Sequence, residues 1–89
     1  MKQSAILTIH GRVQGVGFRY FVKMKADLLQ ITGFVKNQPN GNVYVEAEGE
    51  PEQLQLFIHF CRQGPSHARV EKIDVQLCPV QGFKIFEKR

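Results

Sequence analysis

The chain has 89 residues, of which 43% are hydrophobic and 22% charged, with a formal charge of +4. That describes one ordinary soluble domain spanning 1–89, well below the length at which cores split. Met1-Lys2-Gln3-Ser4 runs straight into an alternating segment, with no apolar signal region and no stretch long enough for a bilayer, so a cytoplasmic protein without a membrane partner is expected.

Residues 4 to 10 set Ala5, Leu7 and Ile9 on one face and Ile6, Thr8 and His10 on the other, the two-residue period of a first strand. After a glycine-containing loop, Phe18, Val22, Ala26 and Leu29 draw one apolar stripe along a helix that starts near Phe18. Ile31 to Lys36 and Val43 to Glu48 read as strands two and three. They flank Asn40-Gly41, a pair suited to a hairpin turn because both residues tolerate positive φ. Pro51 suits a first helical turn, and Leu54, Phe57, Ile58 and Cys61 follow at i, i+3, i+4 and i+7; Gly64-Pro65 ends this second helix. Val70 to Leu77 makes a fourth strand, and Phe83 with Ile85 a short fifth.

The order β-α-β-β-α-β, then β, with apolar faces on both helices, predicts an α+β fold. It is the ferredoxin-like split βαβ sandwich, with two helices on one face of a mainly antiparallel sheet. Many unrelated functions share that arrangement, so function has to be argued from a site.

The best candidate is Gly11-Arg12-Val13-Gln14-Gly15-Val16-Gly17-Phe18-Arg19, which joins a strand end to a helix start. The first turn of a helix leaves backbone N–H groups unpaired and favours anions. Glycines at 15 and 17 let consecutive N–H groups curl into a nest around a tetrahedral oxyanion. Arg19, charged at any working pH, offers paired donors that match two phosphate oxygens. The same glycines could equally serve only the turn, and Arg19 could be a solvated residue.

This run resembles the acylphosphatase signature without interruption. Gly33-Phe34-Val35-Lys36-Asn37 resembles the second motif of that family, Asn40-Gly41-Asn42-Val43 its hairpin, and Gly64-Pro65 with Ala68-Arg69-Val70 the turn into strand four. The resemblance covers essentially the whole chain. It implies a small acylphosphatase that hydrolyses the carboxyl-phosphate bond of acyl phosphates. The backbone N–H groups of Gln14, Gly15, Val16, Gly17 and Phe18, with the Arg19 side chain, would hold the phosphate, and Asn37 would position the attacking water. Without the family, Asn37 reads as a turn residue beside Gln38-Pro39-Asn40-Gly41. The chain departs from the family at Asn40, usually aspartate, and at Gln30, where a glycine commonly follows the helix; both bear on local turns.

No cofactor and no metal are expected, since His10, His59 and His67 lack ligand spacing. Cys61 and Cys78 lack CxxC spacing and read as free buried thiols, with a bridge between them left open. Glu46, Glu48, Glu50 and Glu52, at every second position, read as a solvated face. Tyr44 resembles a base-stacking aromatic of RNA-recognition sheets, but the acids beside it argue against nucleic acid. The expected partners are an acyl phosphate and inorganic phosphate, the latter as product and competing anion, with the chain a monomer. Two rivals stand beside this reading. One is a non-catalytic anion- or RNA-binding module; the other is a relative of the acylphosphatase-like domain that precedes carbamoyl-transfer machinery.

Overall fold

The structure is a computed structural model and describes residues 1–89. The alternation of the first segment becomes β1 (Gln3–Arg12), with Ala5, Leu7 and Ile9 wholly buried. α1 (Phe18–Leu28) buries Phe18, Val22 and Ala26 along one stripe. β2 (Thr32–Asn37), β3 (Val43–Gly49), α2 (Pro51–Gln63), β4 (Arg69–Cys78) and β5 (Phe86–Lys88) follow. All five strands share one sheet in the order β4-β1-β3-β2-β5. Only the β2–β5 pair is parallel. The helices cover one face, where Leu54, Phe57 and Cys61 of α2 join the α1 stripe in one core. No helix is long and apolar enough to cross a membrane.

The termini of the elements follow local chemistry. Pro51 opens α2, where its missing N–H is no loss, and Gly64 closes it at φ 69°. Gln30 takes the left-handed position after α1, at φ 59°. Its N–H points to Asp27 O, and the Ile31 N–H donates to Ala26 O at 2.8 Å, the paired bonds that close a helix with a left-handed residue. Glycine is the usual occupant there, so this chain holds a glutamine in a strained conformation. At the hairpin, only Gly41 takes positive φ. The Asn40 side-chain oxygen accepts the Asn42 N–H at 3.0 Å, a bond an aspartate would make equally well.

Two expectations are corrected. The fifth strand lies at Phe86–Lys88 rather than around Phe83 and Ile85. Phe83 donates its N–H to Glu48 and sets its ring against Phe34 at 6.0 Å, so it cannot serve a strand ladder. Nor do the alternating glutamates form one solvated face. Glu48 is 1% exposed, and its carboxylate accepts the backbone N–H groups of Gln81, Gly82 and Phe83 as the chain crosses from β4 to β5. A carboxylate is suited to that task, because it can accept several backbone donors that no strand partner serves. The strand period ends at Gly49, and Glu50 and Glu52 belong to the start of α2. Both cysteines are free; Cys61 is buried, whereas Cys78 is only half-buried, its thiol 3.4 Å from the Ser4 hydroxyl.

Candidate active site

Between the end of β1 and the start of α1 the chain turns on two left-handed glycines, Gly15 at φ 73° and Gly17 at φ 77°. A side chain would be strained at either. Gly17 is the N-cap of α1 and supplies no side-chain cap. The first helical bond is Phe21 N–H to Gly17 O at 3.0 Å, so the N–H groups of Phe18, Arg19 and Tyr20 have no acceptor within the helix. The first turn carries no acidic residue. This is a helix N-terminus left open to an anion.

The loop is held from behind. The Phe18 side chain is 2% exposed, meets Phe21 edge-on at 6.1 Å, and passes so close to Gly64 that a Cβ there would lie 2.8 Å from the ring. Val16 packs on the core as well. Gln14 acts sideways: its Nε2 donates to Gln38 O at 2.8 Å and to Asn42 O at 2.9 Å, tying the loop to the β2–β3 hairpin. Side chains at 14, 16 and 18 therefore hold the loop in shape, and only its backbone is free to meet a ligand.

Asn37 is the last residue of β2 and shares a face with Gly33 and the wholly buried Val35. That register turns it to the helix side of the sheet, toward the start of α1. Arg19, half-buried in the first turn, donates from Nη1 to the main-chain oxygen of Arg89 at 2.9 Å. A guanidinium carries five N–H donors, so this bond leaves most of them for a ligand. Gly15, Gly17, Phe18, Arg19 and Asn37 line one cavity of 170 Å³. Gln14 and Val16 of the expected set do not line it.

Val13, Tyr20 and Lys88 complete the lining and were not expected from sequence. Val13 and Tyr20 flank the expected set 14–19 and could have been found by extending it by one residue on each side. Lys88 carried no local signal. It arrives because β5 pairs in parallel with β2, setting Lys88 opposite Val35, two residues before Asn37.

The opposite face of the sheet is closed on itself. Tyr44 donates to Glu46 at 2.7 Å, and partial burial, then that acceptor and its charge, push the Tyr44 phenol up to about 12. Lys36 lies 5.4 Å from the Tyr44 ring centre, and the Arg89 guanidinium 3.8 Å from that of Phe34.

A family model described as Acylphosphatase matches residues 5–88. A curated acylphosphatase of Nocardioides sp. is 40% identical over 89 residues, covering 100% of this chain and 90% of the relative. The crystal structure of acylphosphatase from Bacillus subtilis superposes with a TM-score of 0.93 at 40% identity, covering 100% of this chain and 99% of that one. Full-length HypF, solved in a phosphate- and nucleotide-bound form, gives a TM-score of 0.94 at 34% identity; the match takes in 100% of this chain and 12% of that one.

Proposed function

Because the chain belongs to the acylphosphatase family, hydrolases of small acyl phosphates, we propose that the 14–18 backbone loop and Arg19 hold the phosphoryl group while Asn37 positions the attacking water. The observation that carries this reading is the convergence of the open α1 N-terminus, Arg19 and Asn37 on one small cavity.

The chemistry asks little more of the protein. An acyl phosphate releases a carboxylate, a weak base at neutral pH, so departure needs no general acid. What remains is to place water in line with the departing oxygen and to offset charge on the equatorial phosphoryl oxygens. Backbone N–H groups and the guanidinium do the second task. The Asn37 amide does the first, accepting from and donating to water without titrating at neutral pH. We read the reaction as independent of metal.

We further read residues 1–89 as a single acylphosphatase-like domain, working as a cytoplasmic monomer without nucleic-acid or membrane partners. Gly15, Gly17, Phe18, Arg19 and Asn37 meet at the proposed site within one chain. Two free thiols suit a reducing compartment. The aromatic rings of the open sheet face are already stacked with this chain's own cations, beside an acid that would repel a nucleic-acid backbone.

The test is hydrolysis of benzoyl phosphate followed by absorbance in buffer containing EDTA, with wild type compared with Arg19→Ala and Asn37→Ala after circular dichroism confirms folding. Turnover by wild type and its loss in both folded variants is expected. A folded wild type that leaves benzoyl phosphate intact would overturn the reading.

A further inference from the structure

The cavity that gathers Arg19 and Asn37 is small, at 170 Å³, below the range of pockets that enclose a whole metabolite. With phosphate seated against the loop, the acyl group has to extend past the rim. Of the lining residues with no part in the proposed reaction, Val13 is buried, which leaves two side chains at the rim: Tyr20, 66% exposed, and Lys88.

Lys88 stands apart from the other cations nearby. Lys23 is paired with Asp27, and Arg89 with Glu87. Arg19 is engaged with the Arg89 main-chain oxygen. Lys88 takes part in none of the five ion pairs of the chain. Its placement is also fixed by the sheet. Phe86 points into the core, 4% exposed and edge-on to Phe57, and Lys88, two residues on, shares that face. The β2–β5 register then sets it beside the strand end that carries Asn37.

Resting on the reading of the site given above, we propose that Lys88 is a specificity-determining residue that favours acyl phosphates whose acyl group bears a second anionic group. The aromatic side of Tyr20 offers a surface for the intervening carbons, and the Lys88 ammonium meets the distal carboxylate or phosphate. An ammonium on a flexible four-carbon stem serves this purpose better than a fixed fork, since acyl chains differ in length. The contact is exposed to water, so its strength is that of a surface ion pair, up to about fivefold in binding, and it weakens with salt.

The experiment compares succinyl phosphate, which carries a distal carboxylate, with acetyl phosphate, which carries none. The readout is the ratio of their kcat/KM values in wild type, Lys88→Gln, Lys88→Arg and Lys88→Glu. The expected ratio falls about two- to fivefold in Lys88→Gln, falls further in Lys88→Glu, survives in Lys88→Arg, and shrinks in wild type as salt rises. Equal losses for both substrates, leaving the ratio fixed, would overturn the proposal by placing the Lys88 charge on the phosphoryl group or the leaving carboxylate. An unchanged ratio with unchanged rates would overturn it by making Lys88 a bystander. Failure of wild type to hydrolyse either substrate would overturn the reading of the site itself, an outcome distinct from the other two.

Discussion

The Arg19 guanidinium, in the first turn of α1, is tethered by a 2.9 Å bond to the main-chain oxygen of Arg89, 70 residues away in sequence. The acceptor is in turn held by the Arg89 N–H, which donates to Val35 O at 2.8 Å on β2. The strand that supplies Asn37 thus also holds the tether that steadies Arg19. Deleting Arg89 removes this acceptor, and KM for benzoyl phosphate is expected to rise about tenfold, the worth of one hydrogen bond to a charged group. Arg89→Ala keeps the main-chain oxygen and should leave KM much closer to wild type, although it loses the stacking on Phe34. Steady-state kinetics on both variants separate the backbone role from the side-chain role.

Replacing the groups that face the cavity should cost more. Arg19→Ala is expected to lose about 10²–10³ in kcat with weakened competition by inorganic phosphate, and Asn37→Ala to lose kcat by a similar factor with KM little changed. Arg19→Lys should recover only part of the loss, because an ammonium lacks the paired planar donors. Inhibition constants for phosphate, measured beside kcat, distinguish lost binding from lost water positioning.

Gln14 joins the loop to the strand pair that carries Asn37, through its bonds to Gln38 O and Asn42 O. Gln14→Ala is expected to lower stability by about 1–2 kcal/mol. It should also raise KM, because the backbone nest is then free to drift from Asn37. Urea unfolding gives the first quantity and phosphate inhibition the second. A variant that loses stability while keeping wild-type KM would show that the loop holds its shape without the hairpin.

Periodicity placed both helices and the first strand because each has a face that must be buried, and Ala5, Leu7, Val22 and Phe57 are wholly enclosed where the pattern put them; the alternation of Ile73, Val75 and Leu77 marked β4 as well, although Val75 and Leu77 stay exposed there. The glycine loop was legible for the same local reason, since Gly15 and Gly17 are needed at positive φ. Asn37 was different: its own chemistry said turn, and only the match of a second motif singled it out. What stayed hidden depends on distant pairing. Glu48 looked solvated because nothing in its neighbourhood says that residues 81–83 cross over it. Lys88 reaches the cavity only through a parallel pairing of two strands separated by the rest of the fold.

Gln30 offers a stability test away from the cavity. It is the one non-glycine residue at positive φ, and the left-handed conformation costs a side-chain-bearing residue about 1–2 kcal/mol. Glycine removes that strain but adds freedom to the unfolded chain, which returns about 0.4–1 kcal/mol of the gain. Gln30→Gly is therefore expected to stabilise the protein by about 0.5–1 kcal/mol, raising Tm by about 2–8 °C, with benzoyl phosphate kinetics unchanged. Thermal unfolding by circular dichroism reads the shift, and a lower Tm would mean that the glutamine makes compensating contacts.

Tyr44 titrates late because partial burial, and then its bond to Glu46 at 2.7 Å with the negative charge of that carboxylate, all disfavour the phenolate. The folded value is about 12 against an ordinary value of 10.0. Between these two, the unfolded chain has released the phenol proton and the folded chain still holds it, so unfolding releases a proton and stability falls as pH rises. The contribution is fully present below pH 10 and is lost as pH climbs through about 12. Absorbance titration of the phenolate should show a late phase that disappears in Tyr44→Phe, and the alkaline decline in stability between these pH values should be shallower in that variant. Glu46→Gln removes the charge while keeping an acceptor, and is expected to move the late phase part of the way back toward the ordinary value. If Tyr44→Phe leaves the late phase in place, the raised phenol lies elsewhere and the Tyr44–Glu46 bond does not govern it.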